Sequence, residues 1–336
     1  MMIEHTLFHP VAAVADLDAA GAPMAARLLE TDLVIWRDAD GGVRAFDDRC
    51  PHRGAALARG RVVDGMLECP YHGWRFAADG RCMRVPALPD FRPPIGHRAV
   101  EYSARVAYGL VWVALTAPAM LPAGSDVPAF AAETDDHLRK VNSGPYEVAT
   151  SAPRIVENFL DMAHFGFVHE GWLGSRDHVA LQPYEVTITP AGFLATECFA
   201  WQPKSSIHAS GGAMVEYAYE VNAPYTAILT KVPEAGAVKL AQFRESIALF
   251  VCPLEPEVSR VWIRLAMNHS SDPDDRLTAF QDTIFGQDRP VLESQRPKRL
   301  PITGQAPVRE LHCAADRSSA AYRRYLLERG IRFGII

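Results

Sequence analysis

The sequence predicts an α+β protein in two parts: an all-β domain over residues 1–120, then a domain over 121–336 in which helices flank a block of antiparallel strands. Three observations carry this. From Asp32 to Leu115 short β-prone runs alternate with Asp-Gly turns. From Tyr184 to Asn268 longer strand-like segments follow one another, and helical patterns stand on both sides of that block.

Taken in order, the first domain offers strands at Leu33–Trp36, Val43–Phe46, Arg61–Val63, Met66–Glu68, Trp74–Phe76, Arg81–Val85 and Leu110–Val113. Asp40-Gly-Gly42, Asp64-Gly65 and Asp79-Gly80 between them are hairpin signals. Thr116 to Pro128, rich in Ala, Pro, Gly and Ser, reads as the linker out of the domain. The second part should hold one helix from about Arg154 to Val168 and another from about Pro273 to Gln295. Ala320 to Glu328 reads as a short amphipathic helix; no internal repeat or low-complexity tract interrupts the pattern.

The composition narrows the function. With 336 residues, 49% of them hydrophobic and 22% charged, the chain is an ordinary globular protein long enough for two domains. A net charge of −6 argues against a nucleic-acid partner. The six cysteines, at 50, 69, 82, 198, 252 and 313, follow no disulfide spacing, so reduced thiols and a cytoplasmic location are expected. The first residues lack the basic and apolar regions of a signal peptide, and no apolar run suggests a membrane span.

Two matched arms, Cys50-Pro-His52-Arg-Gly54 and Cys69-Pro-Tyr-His72-Gly-Trp74, then supply two thiolates and two imidazoles. Tetrahedral zinc accepts that donor set, but zinc fingers usually group Cys with Cys and His with His. One Cys and one His per arm suits a Rieske [2Fe-2S] cluster, with Cys50 and Cys69 on one iron and His52 and His72 on the other. Replacing two thiolates by neutral imidazoles raises the potential to about −150 to +300 mV, against about −400 mV for plant-type ferredoxins. Pro51, Gly54, Pro70 and Gly73 fit the tight turns such loops need, and Trp74 either shields the cluster or packs.

The second constellation is Asn158-x2-Asp161-x2-His164-x4-His169, polar residues set among apolar neighbours. Buried polar groups need partners, and two His with an Asp and an Asn in so short a span point to metal ligation. Asn158, Asp161 and His164 follow at three-residue steps and would share a helical face; His169 is about 140° further round, so the helix should distort or end near Gly166 if both His bind one metal. Non-haem Fe(II) sites use two His and one carboxylate. In the later helix the apolar stripe runs Leu277, Phe280, Ile284, Asp288, Val291, and a carboxylate there is costly unless paired or metal-bound. Asp288 is therefore the candidate third ligand, ahead of Asp282 and Glu293, with a salt bridge to arginine as the alternative; Pro290 would free a carbonyl one turn earlier.

With both constellations in this order, the chain resembles the oxygenase components of Rieske non-haem iron oxygenases, of the vanillate O-demethylase, dicamba monooxygenase and toluenesulfonate methyl-monooxygenase kind. The resemblance rests on the Cys50/His52/Cys69/His72 set, on Asn158 to His169 and on Gln287-Asp288, and spans essentially the whole chain. It implies a Rieske domain followed by a helix-grip catalytic domain, with mononuclear Fe(II) held by His164, His169 and Asp288. Asp161 and Asn158 are then the residues expected to serve catalysis, Asp161 by bridging a neighbouring protomer's His72 to its own His164 in a head-to-tail homotrimer. The implied reaction uses O2 to hydroxylate, or O- or N-demethylate, a small cyclic or aromatic substrate. No G-x-G-x-x-G fingerprint is present, so electrons from NAD(P)H must arrive through a separate reductase or ferredoxin. Trp172, His178, Lys204, His208, Met214 and Tyr217 are candidate substrate contacts. Three other readings stay open: a Rieske electron carrier with an appended ligand-binding domain, a ring dioxygenase, and a zinc-containing structural module.

Overall fold

A computed structural model of the chain describes residues 2–203, 211–233, 245–268 and 270–336. The chain forms two compact units, Met1–Val127 and Pro128–Ile336.

The first unit is almost entirely strand: β1 (His9–Ala13), α1 (Val14–Ala20), β2 (Met24–Leu28), β3 (Thr31–Arg37), β4 (Val43–Asp47), β5 (Arg61–Val63), β6 (Met66–Glu68), β7 (Arg75–Phe76), β8 (Cys82–Arg84), β9 (Glu101–Ala107) and β10 (Leu110–Ala114). A six-stranded sheet takes the order β1-β10-β9-β4-β3-β2, and β5 to β8 form a four-stranded meander. The two Cys/His arms leave from β4 and β6 and so project from the same end of this small fold. Between them Cys50, Cys69 and Cys82 join Val34, Trp36, Phe46, Leu57, Leu67 and Phe76 in one buried cluster. Glu68, paired across strands with Arg61 and Arg75, receives both guanidinium groups at 2.7 Å. Burial alone would raise its pKa; the two arginines bring it below the usual range, and the residue before Cys69 is thereby pinned.

The second unit contains β11 (Arg139–Val148), α2 (Ala152–Phe159), α3 (Phe165–Val168), β12 (Glu185–Ile188), β13 (Phe193–Gln202), β14 (Ala213–Ala223), β15 (Thr226–Pro233), β16 (Glu245–Glu255), β17 (Val258–Met267), α4 (Asp274–Ser294) and α5 (Arg317–Glu328). The strands make one antiparallel sheet in the order β11-β17-β16-β15-β14-β13-β12. Residues alternate between its faces, as period 2 requires: Val215, Tyr217, Tyr219 and Val221 of β14 are all buried. α2 packs across β15, β16 and β17 and touches α4 and α5, while α4 lies against β11. This is the α+β, helix-grip arrangement expected. No helix among the described residues is long and apolar enough to cross a membrane.

Two helix expectations need correction. The helix expected over 154–168 is two pieces, α2 ending at Phe159 and the single turn α3 starting at Phe165. Asp161 causes the break: its Oδ1 accepts the Ala163 N–H at 2.8 Å, a side-chain turn that competes with helix continuation. Asp161 and His164 therefore do not share a helical face with Asn158. The buried row of α4 is also rotated from the expected stripe, running Leu277, Gln281, Phe285, Asp288, Leu292, with Val291 41% exposed. Steps of four, four, three and four residues follow the helix axis. Residue identity had favoured Phe280 and Ile284 over Gln281, although both of those remain partly covered.

Candidate active site

Each Cys/His arm closes on itself with the same two backbone hydrogen bonds. Gly54 N–H donates to Cys50 O at 2.8 Å and Cys50 N–H to Ala55 O at 2.8 Å; Gly73 N–H donates to Cys69 O at 3.1 Å and Cys69 N–H to Trp74 O at 2.8 Å. Gly54 and Gly73 take φ of 72° and 68°, a left-handed conformation that a side chain would strain, so both arms turn at the glycine. The result is two thiols 1% and 2% exposed beneath two imidazoles whose ring centres are 4.6 Å apart. His52 Nδ1 is buried with no hydrogen-bond partner. Burial pushes the Cys50 thiol up to about 11, with Cys69 adding to the shift, so a thiolate at neutral pH needs a cation. An orphaned imidazole nitrogen beside paired buried thiols fits a cluster. Trp74 lies flat on His52 at 4.5 Å and 5°, and also stacks with His97 at 5.7 Å and 14°.

In the second unit, His164 and His169 flank α3 and meet Asp288 of α4. His164 Nε2 is 3.1 Å from His169 Nε2 and 3.5 Å from Asp288 Oδ1, and His169 Nε2 is 3.2 Å from the same oxygen. Two ligands about 2.1 Å from one metal and at right angles stand about 3.0 Å apart, so these three donor atoms fit one face of an octahedral ion. Both outer ring nitrogens are occupied: His164 Nδ1 faces Asp161 Oδ2 at 3.1 Å and His169 Nδ1 faces Gln287 Oε1 at 2.8 Å. Donating from Nδ1 leaves each Nε2 lone pair turned inward. Asn158 Nδ2 donates to Asp288 Oδ1 at 3.4 Å. Burial works against charge on His169, but the Asp288 carboxylate and Gln287 outweigh it and raise its pKa. For Asp161 burial is likewise outweighed, by His164 and two backbone N–H groups, and its pKa is lowered.

The triad opens into a cavity of about 470 Å³ between the sheet and α4. Its walls are largely apolar, from Phe159, Trp172, Leu229, Ile247, Leu265 and Ile284 among others. Polar side chains interrupt them on the strands, where Gln202, Tyr217, Tyr219, Lys231 and Glu245 face inward.

Of the residues singled out from sequence, Cys50, His52, Cys69 and His72 come together in the first unit, and Asn158, Asp161, His164, His169 and Asp288 in the second. Asp288 meets the two imidazoles, while Asp282 accepts from Tyr146 OH and Glu293 from the Ala149 N–H. Trp172 and Tyr217 line the cavity. His178 stacks on Trp201 at 4.2 Å instead, and neither it nor Met214 lines the cavity. Lys204 and His208 lie outside the described residues. Sequence reasoning missed the orienting role of Gln287 and the inward Gln202, Tyr219, Lys231 and Glu245. The first immediately precedes Asp288 in the sequence; Tyr219 could have been found from strand alternation counted from Tyr217, whereas Gln202, Lys231 and Glu245 lie on other strands and needed the pairing register.

A sequence profile of the Rieske [2Fe-2S] domain matches residues 8–100, and one of the vanillate O-demethylase oxygenase C-terminal domain matches residues 148–329. Methylxanthine N1-demethylase NdmA of Pseudomonas putida is 32% identical over 96% of this chain and 88% of its own length. Probable methylxanthine N7-demethylase NdmC of Pseudomonas sp. (strain TJI-51) is 36% identical over 71% of this chain and 82% of its own. Among solved structures, NdmA of Pseudomonas putida CBB5 with caffeine superposes with a TM-score of 0.82 at 29% identity, covering 96% of this chain and 90% of that one. Dicamba monooxygenase bound to dicamba shares the fold, with a TM-score of 0.80 at 21% identity and 98% coverage of both chains.

Proposed function

Because the chain belongs to the Rieske non-haem iron oxygenase components, with a Rieske domain and a vanillate O-demethylase-type oxygenase domain, we propose that His164, His169 and Asp288 hold its catalytic iron and that it N-demethylates a small, flat heterocycle. The carrying observation is the facial triad with both Nδ1 positions occupied. An electron carrier with an appended binding domain would have no use for it. The substrate class is supported by the methylxanthine demethylases among the relatives and by a mostly apolar cavity of about 470 Å³.

When bound, cluster and iron together supply reductive activation of O2, using electrons from a separate reductase or ferredoxin. For a methyl group on nitrogen, one O2, two electrons and two protons give an N-hydroxymethyl group and one water. The carbon–nitrogen bond then breaks, releasing formaldehyde and leaving N–H. The chain's own residues set the conditions. Gln287 and Asp161 fix the tautomers of the two histidines, Asn158 steadies the Asp288 carboxylate, and the apolar walls keep bulk water from the methyl group.

The same reading includes a cytoplasmic homotrimer in which Asp161 links its own His164 to His72 of a neighbouring protomer. The exposed His72 and the 30% exposure of the Asp161 side chain support this, since each keeps a face for a partner. Oxygen uptake with a surrogate reductase, scanned over N-methyl heterocycles and methoxy-aromatics with products identified by mass, tests the activity. Formaldehyde released in step with an N–H product is expected. A chain holding no iron beyond that of its cluster, and consuming no oxygen with any N-methyl compound, would overturn it.

A further inference from the structure

We propose that Gln281 anchors the far end of the substrate: its carboxamide meets a ring edge that carries an N–H beside a C=O, as in a lactam or imide, while a methyl group faces the triad. This deepens the demethylase reading and rests on it.

The helix places the group. Gln281 belongs to the buried row of α4, seven residues before Asp288. Seven steps of about 100° fall about 20° short of two full turns, so the two side chains leave α4 on one face, about 10 Å apart along its axis. Phe285 stands between them on that row, its ring stacked on Tyr146 at 4.5 Å and 20°. Gln281, Phe285 and Asp288 all line the cavity. A flat ring system lying along α4 past Phe285 can therefore reach from the triad to the amide.

Gln281 is only 8% exposed, and its amide has no hydrogen-bond partner among the described residues. Even so, neither Oε1 nor Nε2 is sealed inside the protein, in contrast to Gln202 Oε1 and Tyr219 OH. On an inward-facing row, that leaves both atoms open to the cavity. The other polar side chains that α4 brings to the cavity are engaged: Arg276 donates to Asp272 at 3.0 Å, Thr283 Oγ1 to Ala279 O at 2.9 Å, and Asp288 meets the two histidines. Buried polar groups without a partner are rare without a reason. A carboxamide holds an acceptor and a donor side by side, and a lactam edge holds their complement, so two hydrogen bonds form together. An edge methylated at nitrogen makes at most one of them and leaves Oε1 unanswered.

The test is calorimetric binding to the cluster- and iron-loaded chain under anaerobic conditions. The probes are theobromine, whose ring keeps one N–H between two carbonyls, and caffeine, where that nitrogen is methylated. Theobromine should bind at least about tenfold more tightly than caffeine, a comparison that needs no variant. Gln281→Met keeps the length of the side chain and removes both hydrogen-bonding atoms. In it theobromine should weaken about tenfold while caffeine stays within about threefold, with cluster absorption and iron content unchanged. No preference in the wild type, no binding of either xanthine, an undiminished preference in Gln281→Met, or an equal loss for both xanthines would each overturn the proposal. Oxygen uptake measured alongside keeps the two readings apart: binding preferences as expected but no turnover removes the demethylase reading, whereas N-demethylation with preferences unmoved by Gln281→Met removes the anchor alone.

Discussion

At Asp161 one carboxylate oxygen closes the turn that stops α2 and the other orients His164. Asparagine closes the same turn with its amide oxygen but carries no charge. Asp161→Asn should therefore keep cluster and iron at full occupancy while product formation falls about a hundredfold or more, read by iron content and cluster absorption beside single-turnover yield. Gln287 acts on the other imidazole. Gln287→Leu leaves His169 Nδ1 without its acceptor, so iron affinity should drop by about 10–100-fold in a competitive chelator titration. That His164, His169 and Asp288 come together was legible in the sequence because His and Asp are conspicuous in apolar surroundings. Gln287 was not, since a lone glutamine on a helix reads as surface until its neighbours are known.

At the scale of elements, turns were easier to read than extents. Asp64-Gly65 joins β5 and β6 as expected, but β1, β2, β9 and β11 and the helix α1 were not foreseen. β2 (Met-Ala-Ala-Arg-Leu) has helix-prone residues, and β11 contains Gly144-Pro145 where its register with β17 shifts. Only the tertiary pairing makes them strands. One contact that sequence could not reveal holds α2 in place: Arg154 and Glu157 of α2 join Arg323 of α5 and Glu310 of the segment before it, with Arg154 Nη2 2.6 Å from Glu310 and Arg323 Nη2 2.9 Å from Glu157. Burial raises the Glu310 pKa, but the two arginines more than reverse this and hold it below the usual 4.5. A depressed carboxylate stabilises the folded state at neutral pH and ceases to do so as pH falls below 4.5 and through the depressed value. Glu310→Gln should thus cost about 1–3 kcal/mol at pH 7, less than for a fully buried pair because Glu310 is 29% exposed, and the gap in Tm between variant and wild type should shrink in acid.

For the whole molecule, the order of two domains was written in the order of two motifs, and the strand alternation disclosed the sheet. Assembly follows from the bridge proposed for Asp161. If electrons pass from the cluster of one protomer to the iron of the next, two inactive chains should complement each other. Co-expressing Cys69→Ser, which loses the cluster, with His169→Ala, which loses the iron, should yield mixed trimers with about a tenth or more of wild-type turnover, whereas either variant alone has essentially none. Purification through two different tags and a steady-state rate decide this, and silent mixed trimers would place both metals of each turnover in one chain.

The stacked column of His52, Trp74 and His97 has an optical consequence. With the cluster proposed on His52, an indole stacked 4.5 Å from that imidazole would hand its excitation to the cluster's broad visible absorption, whereas none of the other five of the six tryptophans is stacked on His52 or His72. Loss of the cluster should brighten tryptophan emission, and Trp74→Phe should take away part of that rise, the remainder coming from tryptophans such as Trp36, which shares a buried cluster with Cys50 and Cys69. Trp74 thereby makes the chain a reporter of its own cluster loading, with no dye attached.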